Sequence, residues 1–214
     1  MEEFRILLDH GGVATFLIVI AGVIVMVIGG ERILTLFLRL SVANDTVIEK
    51  IRTSILSQKY TDAIQVCNAV PNSPDVNVVK YALLAVENGR EAMRSALGGA
   101  ILEVNHKCEA RLPYLALIAN VATLLGLLGT ITGLIKTFAA LAKADPSVKA
   151  ELLGRGISEA MYATAAGLGV GIAAMVIHTI CTNKADAIVG HTQDLGYKII
   201  TWVEQSERGT QKNA

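Results

Sequence analysis

The sequence predicts an all-α fold: a polytopic membrane protein whose three transmembrane helices extend into a cytoplasmic helical bundle. Three observations predict it. Stretches 11–30, 112–135 and 160–183 carry no formal charge, with His counted as neutral, and each is long enough to cross the hydrocarbon core of a bilayer as helix. The composition is 52% hydrophobic with a mean hydropathy of +0.50, more apolar than an ordinary soluble domain. Residues 41–111, between the first and second runs, keep apolar side chains at helical spacing between polar ones.

The same composition excludes several functions. Nineteen basic and 19 acidic side chains give a net charge of zero, which argues against a nucleic-acid partner. No polybasic block marks a lipid-headgroup site. Aromatics are 5% of the chain, too few for a barrel girdle or a base-stacking platform. Cys67, Cys108 and Cys181 are scattered, without a CxxC pair, and are expected to be small buried residues on the cytoplasmic side. No nucleophile–base set, metal-spaced cluster or phosphate loop is visible, so no enzyme activity, metal or cofactor is expected.

In chain order, residues 1–10 form a weakly amphipathic outer segment. Residues 11–40 form the first transmembrane helix; the run lacks a cleavage site and a basic leader, so it is not a signal peptide. Residues 41–111 form a cytoplasmic helical region, with Asn44 as an N-cap and the break at Pro71-Asn72-Ser73-Pro74. Residues 112–142 are the second transmembrane helix, 143–155 a short periplasmic turn, and 156–183 the third transmembrane helix. Residues 184–214 complete the chain as a cytoplasmic helix and tail. Lys and Arg concentrate in the long loop and after the third span, which places the N-terminus outside and the C-terminus in the cytoplasm.

The second run is not uniformly apolar. Asn120, Thr123, Thr130 and Thr137 fall at spacings of three, seven and seven, a polar stripe along one helix face. Gly126, Gly129 and Gly133 thin the helix beside it. In the third run Thr164 is followed by Gly167 and Gly171, a small-xxx-small spacing that lets another backbone approach. Glu159 stands at the outer mouth, where a carboxylate faces a water path or a partner, or else snorkels into water. Hydroxyls in a membrane helix can back-bond to their own carbonyls, but two spans that both carry Thr among glycines suggest a polar path. Such a path needs a carboxylate in mid-membrane, and 112–135 has none; another subunit is expected to supply it. Lys136 points away from the Thr stripe and is expected to snorkel. His178 is expected to make a structural hydrogen bond.

At GLLGTITGLIKTF and GISEAMYATAAGLGVGIAAMVI the sequence resembles the ExbB/TolQ/MotA proton-channel family, in its ExbB/TolQ branch. The resemblance implies an ion-conducting stator subunit in the bacterial inner membrane that couples proton flow to mechanical work. It implies a homopentamer around a dimer of a single-span, Asp-bearing partner of the ExbD/TolR kind, with a TonB/TolA-like or motility effector beyond. It puts the pore threonines at Thr130 and Thr164 and the outer acid at Glu159. Thr123 and Ala173 stand where close relatives often have proline, and Lys136 where they have an uncharged polar residue. The competing expectation is a membrane scaffold that packs partner helices without conducting ions.

Overall fold

The computed structural model describes residues 12–40, 44–71 and 73–213; the expected outer segment 1–10 lies outside the described residues. Among those described, every regular element is helical and there is no strand, so the all-α expectation holds. Helix α1, Gly12–Leu34, runs on into a π-helical turn at Thr35–Arg39. Then come α2 (Asp45–Leu56), α3 (Tyr60–Asn68), α4 (Pro74–Leu84), a 3-10 turn at Val86–Asn88, and α5 (Arg90–Glu109). The second span is α6, Leu112–Leu141, and the last helix is α7, Lys149–Asn213. Among the described residues, three helices are long and apolar enough to cross a membrane.

Local chemistry sets the breaks. Pro74 opens α4 at a position where its missing N–H costs nothing. Gly89, at φ 95°, separates the 3-10 turn from α5. Between α5 and α6 the chain turns through Arg111, a non-glycine residue at φ 64°, just before Leu112-Pro113. Asn44 does stand at the N-cap of α2, but its side chain makes no capping hydrogen bond.

Two boundaries differ from expectation. The turn placed at 143–155 ends sooner, because α7 starts at Lys149. The third span and the cytoplasmic C-terminal helix, expected as separate pieces, are one helix of 65 residues. The last proline in the chain is Pro146. Beyond it no residue forces an end, and helix propagation is cheap once begun.

Contacts divide the chain into two compact units: 1–32 with 111–180, and 33–110 with 181–214. The first has a narrow core dominated by small side chains, among them Ala119, Ala122, Ala160, Ala163 and Ala174, with Ile18, Val25 and Leu115. Many of its large apolar residues face outward: Met26 is 70% exposed, Leu124 64% and Ile172 64%. An outward-facing apolar surface on helices of this length suits lipid. The second unit is built like a water-soluble bundle. Ile51, Ile55, Val79, Met93, Ile188 and Ile199 are each buried in it, worth about 1.5–3 kcal/mol apiece. Cys67, Cys108 and Cys181 are all buried.

Candidate ion-path site

The site is a seam between α6 and α7, and glycines set its closeness. A Cβ added at Gly167 would lie 2.6 Å from the Ala122 carbonyl oxygen and 2.8 Å from Gly126 Cα. These are backbone atoms and cannot move aside, so only glycine permits the approach. Gly129 packs on Ala163, Gly133 on Ala160, and Gly171 on the Thr123 hydroxyl and the Ala119 carbonyl. Gly156 makes room for the Thr137 side chain. The glycines singled out by the sequence thus lie along one antiparallel contact line.

Thr164 crosses that line: its hydroxyl donates to the Gly126 carbonyl at 2.9 Å. The threonines of the α6 stripe are satisfied within their own helix. Thr123 donates to Ala119 O at 3.0 Å, Thr130 to Leu127 O at 2.6 Å, and Thr137 to Gly133 O at 2.8 Å. Each of these four hydroxyls has therefore committed its one proton to a carbonyl. What it still offers is lone pairs. Thr130, Thr137 and Thr164 are half-buried, and Asn120 and Thr123 are exposed.

Glu159 is placed elsewhere. It stands five residues before Thr164, about 140° around the helix. Its own face continues through Val170 and Ile177, 11 and 18 residues further on. Val170 packs on Gly22 of α1 and Ile177 on Gly29. Glu159 therefore heads the stripe by which α7 meets α1, while Thr164 belongs to the stripe that meets α6. Glu159 is half-buried and Lys136 exposed. At the other end of the unit, Glu31 holds Arg32 at 2.7 Å and also contacts the Arg111 guanidinium. Arg32 is only 6% exposed, a charge kept at the end of a span by its pairing.

Sequence reasoning passed over Thr15, which is 1% exposed on α1. A lone hydroxyl in the first apolar run was the available signal.

Residues 71–194 match the model of the MotA/TolQ/ExbB proton channel family. The chain belongs to that family. The match contains α6 and the part of α7 that forms the seam. The chain is 26% identical over 209 residues to the biopolymer transport protein exbB1 of Vibrio cholerae, covering 95% of this chain and 90% of that protein. It is 32% identical over 100 residues to the Tol-Pal system protein TolQ of Pseudomonas aeruginosa, covering 47% and 43%. With the Haemophilus influenzae protein of the same name the identity is 36% over 88 residues, covering 41% and 37%. The match thus spans less than half the length of the two TolQ proteins. These relatives put the chain in the ExbB/TolQ branch, as a proton-channel subunit in a membrane.

Proposed function

We propose that the protein is the ion-conducting stator subunit of an inner-membrane motor, in which proton flow drives mechanical work through a single-span partner bearing an intramembrane aspartate. The observation that carries this reading is the hydroxyl stripe at the seam, with every donor spent on a carbonyl. A surface of lone pairs discriminates between the two forms of a carboxyl group. The protonated acid donates a hydrogen bond to Thr130 or Thr164. The carboxylate finds only acceptors there and is repelled. Proton arrival thus docks the partner's acid on the stripe, and proton loss ejects it. Each charge that falls through 100 mV supplies about 2.3 kcal/mol for that cycle.

In this reading several copies, five by the family resemblance, surround a dimer of the ExbD/TolR-like partner, and α6 and α7 of each copy face inward. Asn120, Thr123 and Thr137 extend the lining. Gly126, Gly129, Gly133, Gly167 and Gly171 hold the two spans together. Glu159, on the α1 side of α7, acts at the outer mouth as a source of negative potential. The N-terminus is periplasmic and the C-terminus cytoplasmic. A TonB/TolA-like or motility effector takes up the motion.

Thr130→Val and Thr164→Val are expected to insert and assemble but to lose proton-driven work, measured as proton uptake in vesicles holding the protein and its partner. Full activity of both variants would falsify the assignment. The same hydrogen bonds also favour one other reading, a scaffold whose hydroxyls merely stabilise helices. It predicts that both valine variants and Glu159→Gln work normally, and that no Asp-bearing single-span protein co-purifies.

A further inference from the structure

Among the described residues the second unit holds one buried carboxylate, and the ion path does not use it. Asp75 is 0% exposed and follows Pro74 in the first turn of α4. Its Oδ1 accepts the Val76 amide at 3.0 Å and the Ser73 hydroxyl. On its other side stands His191 of α7, with Nδ1 3.6 Å from Oδ2. That is too long for a hydrogen bond. The Nδ1 atom is itself buried and has no hydrogen-bond partner among the described residues. The rest of the ring reaches solvent, for the side chain is 41% exposed, so a proton can enter without unfolding the bundle.

A carboxylate removed from water demands a matching charge. Imidazole is the side chain whose charge changes between about pH 5 and 8. We propose that Asp75 and His191 form a second proton-binding site, outside the membrane path, where proton uptake by His191 closes a charge-assisted hydrogen bond on the buried carboxylate and fastens the start of α4 to α7. The proton comes from solvent and forms an N–H bond that Oδ2 then accepts; no other bond changes.

Other charged groups stand on the elements packed around the pair. On α4, Lys80 is half-buried five residues beyond Asp75, and its charge acts on Cys67 of α3. Glu103 and Lys107 of α5 hold each other at 2.6 Å. On α7, Asp194 is exposed one turn past His191, and Lys184 lies over the Phe37 ring at 5.4 Å. The site senses the proton concentration on its own side of the membrane. It thereby gives the subunit a response to the pH of the compartment that holds the bundle.

The test is amide hydrogen exchange of the intact protein in lipid nanodiscs, corrected for intrinsic rates, over residues 76–79. Moving from about pH 8 to about pH 6 should raise protection in the wild type about tenfold. His191→Gln, neutral throughout, should lose that step, and His191→Arg should hold high protection at both pH values. Asp75→Asn risks unfolding α4, whereas His191 is partly exposed and tolerates exchange. A pH step that survives in His191→Gln, or its absence in the wild type, overturns the proposal. The measurement requires neither conduction nor a partner, so it fails or succeeds independently of the stator reading.

Discussion

At the scale of single residues, the sharpest contrast lies between Gly167 and Gly169. A Cβ at Gly167 meets backbone atoms of α6, whereas one at Gly169 meets nothing within 4 Å. Gly167→Ala should therefore weaken the seam by about 1–3 kcal/mol through overpacking. Gly169→Ala should be neutral or slightly stabilising, since alanine favours helix by about 1 kcal/mol. Thermal unfolding in detergent compares the two; equal midpoints would show that the seam is not tight. Cys67 gives a second test at this scale. Burial pushes its thiol up to about 11 from an ordinary value of 9.0. The folded protein then keeps a proton that the unfolded chain gives up first. Whatever stability this confers is complete below about pH 9 and is lost as the pH rises towards about 11. Cys67→Ala should flatten the alkaline limb of the pH–stability curve in that window, and Cys67 should resist maleimide at neutral pH until the protein unfolds.

At the scale of the helix, α7 carries two stripes with different neighbours. Thr164→Ser keeps the hydroxyl that reaches Gly126 O, while Thr164→Val removes it. The measured worth of such interhelical bonds averages about 0.6 kcal/mol. Valine should therefore cost little stability yet abolish proton-driven work, and serine should retain most of both. If the valine variant's loss of work merely tracked its loss of fold, Thr164 would be a packing residue. The spans were legible in the sequence because an uncharged run of bilayer length has few other uses. The α6 stripe was legible because Thr123, Thr130 and Thr137 repeat every seven residues. Which stripe of α7 faces which helix was not legible, because that register is set by the contact of Gly126 with Gly167. The five-residue offset between Glu159 and Thr164 already carried their divergence, but the grouping followed the resemblance instead. The Asp75–His191 pair could not be read at all, since nothing local links residues so far apart in the chain.

At the scale of the whole molecule, one helix supplies both units, with opposite surface chemistry along its length. Up to Ile180 many of its large side chains face outward, as at Met161 and Ile172, whereas beyond it Ile188, Leu195, Ile199 and Val203 are buried. The end of α7 is held by two kinds of contact. Arg90 pairs with Glu207 and Arg94 with Glu204, all at least partly in solvent, where ion pairs add little. The apolar contacts are different. Ile199 is 0% and Val203 1% exposed; Gln58 bonds Ser206 O at 3.0 Å, and Arg52 lies 5.9 Å from the Trp202 ring. Burying two such aliphatic side chains is worth about 3–6 kcal/mol, a large part of the stability of an ordinary domain. Ending the chain after Lys198 should therefore strip α2 and α3 of their support, making 45–68 sensitive to protease while the spans still insert. Glu204→Ala with Glu207→Ala should leave 45–68 resistant. Limited proteolysis read by mass spectrometry decides between them: equal cleavage in the two proteins would mean that the ion pairs, not the buried side chains, hold the end of the helix.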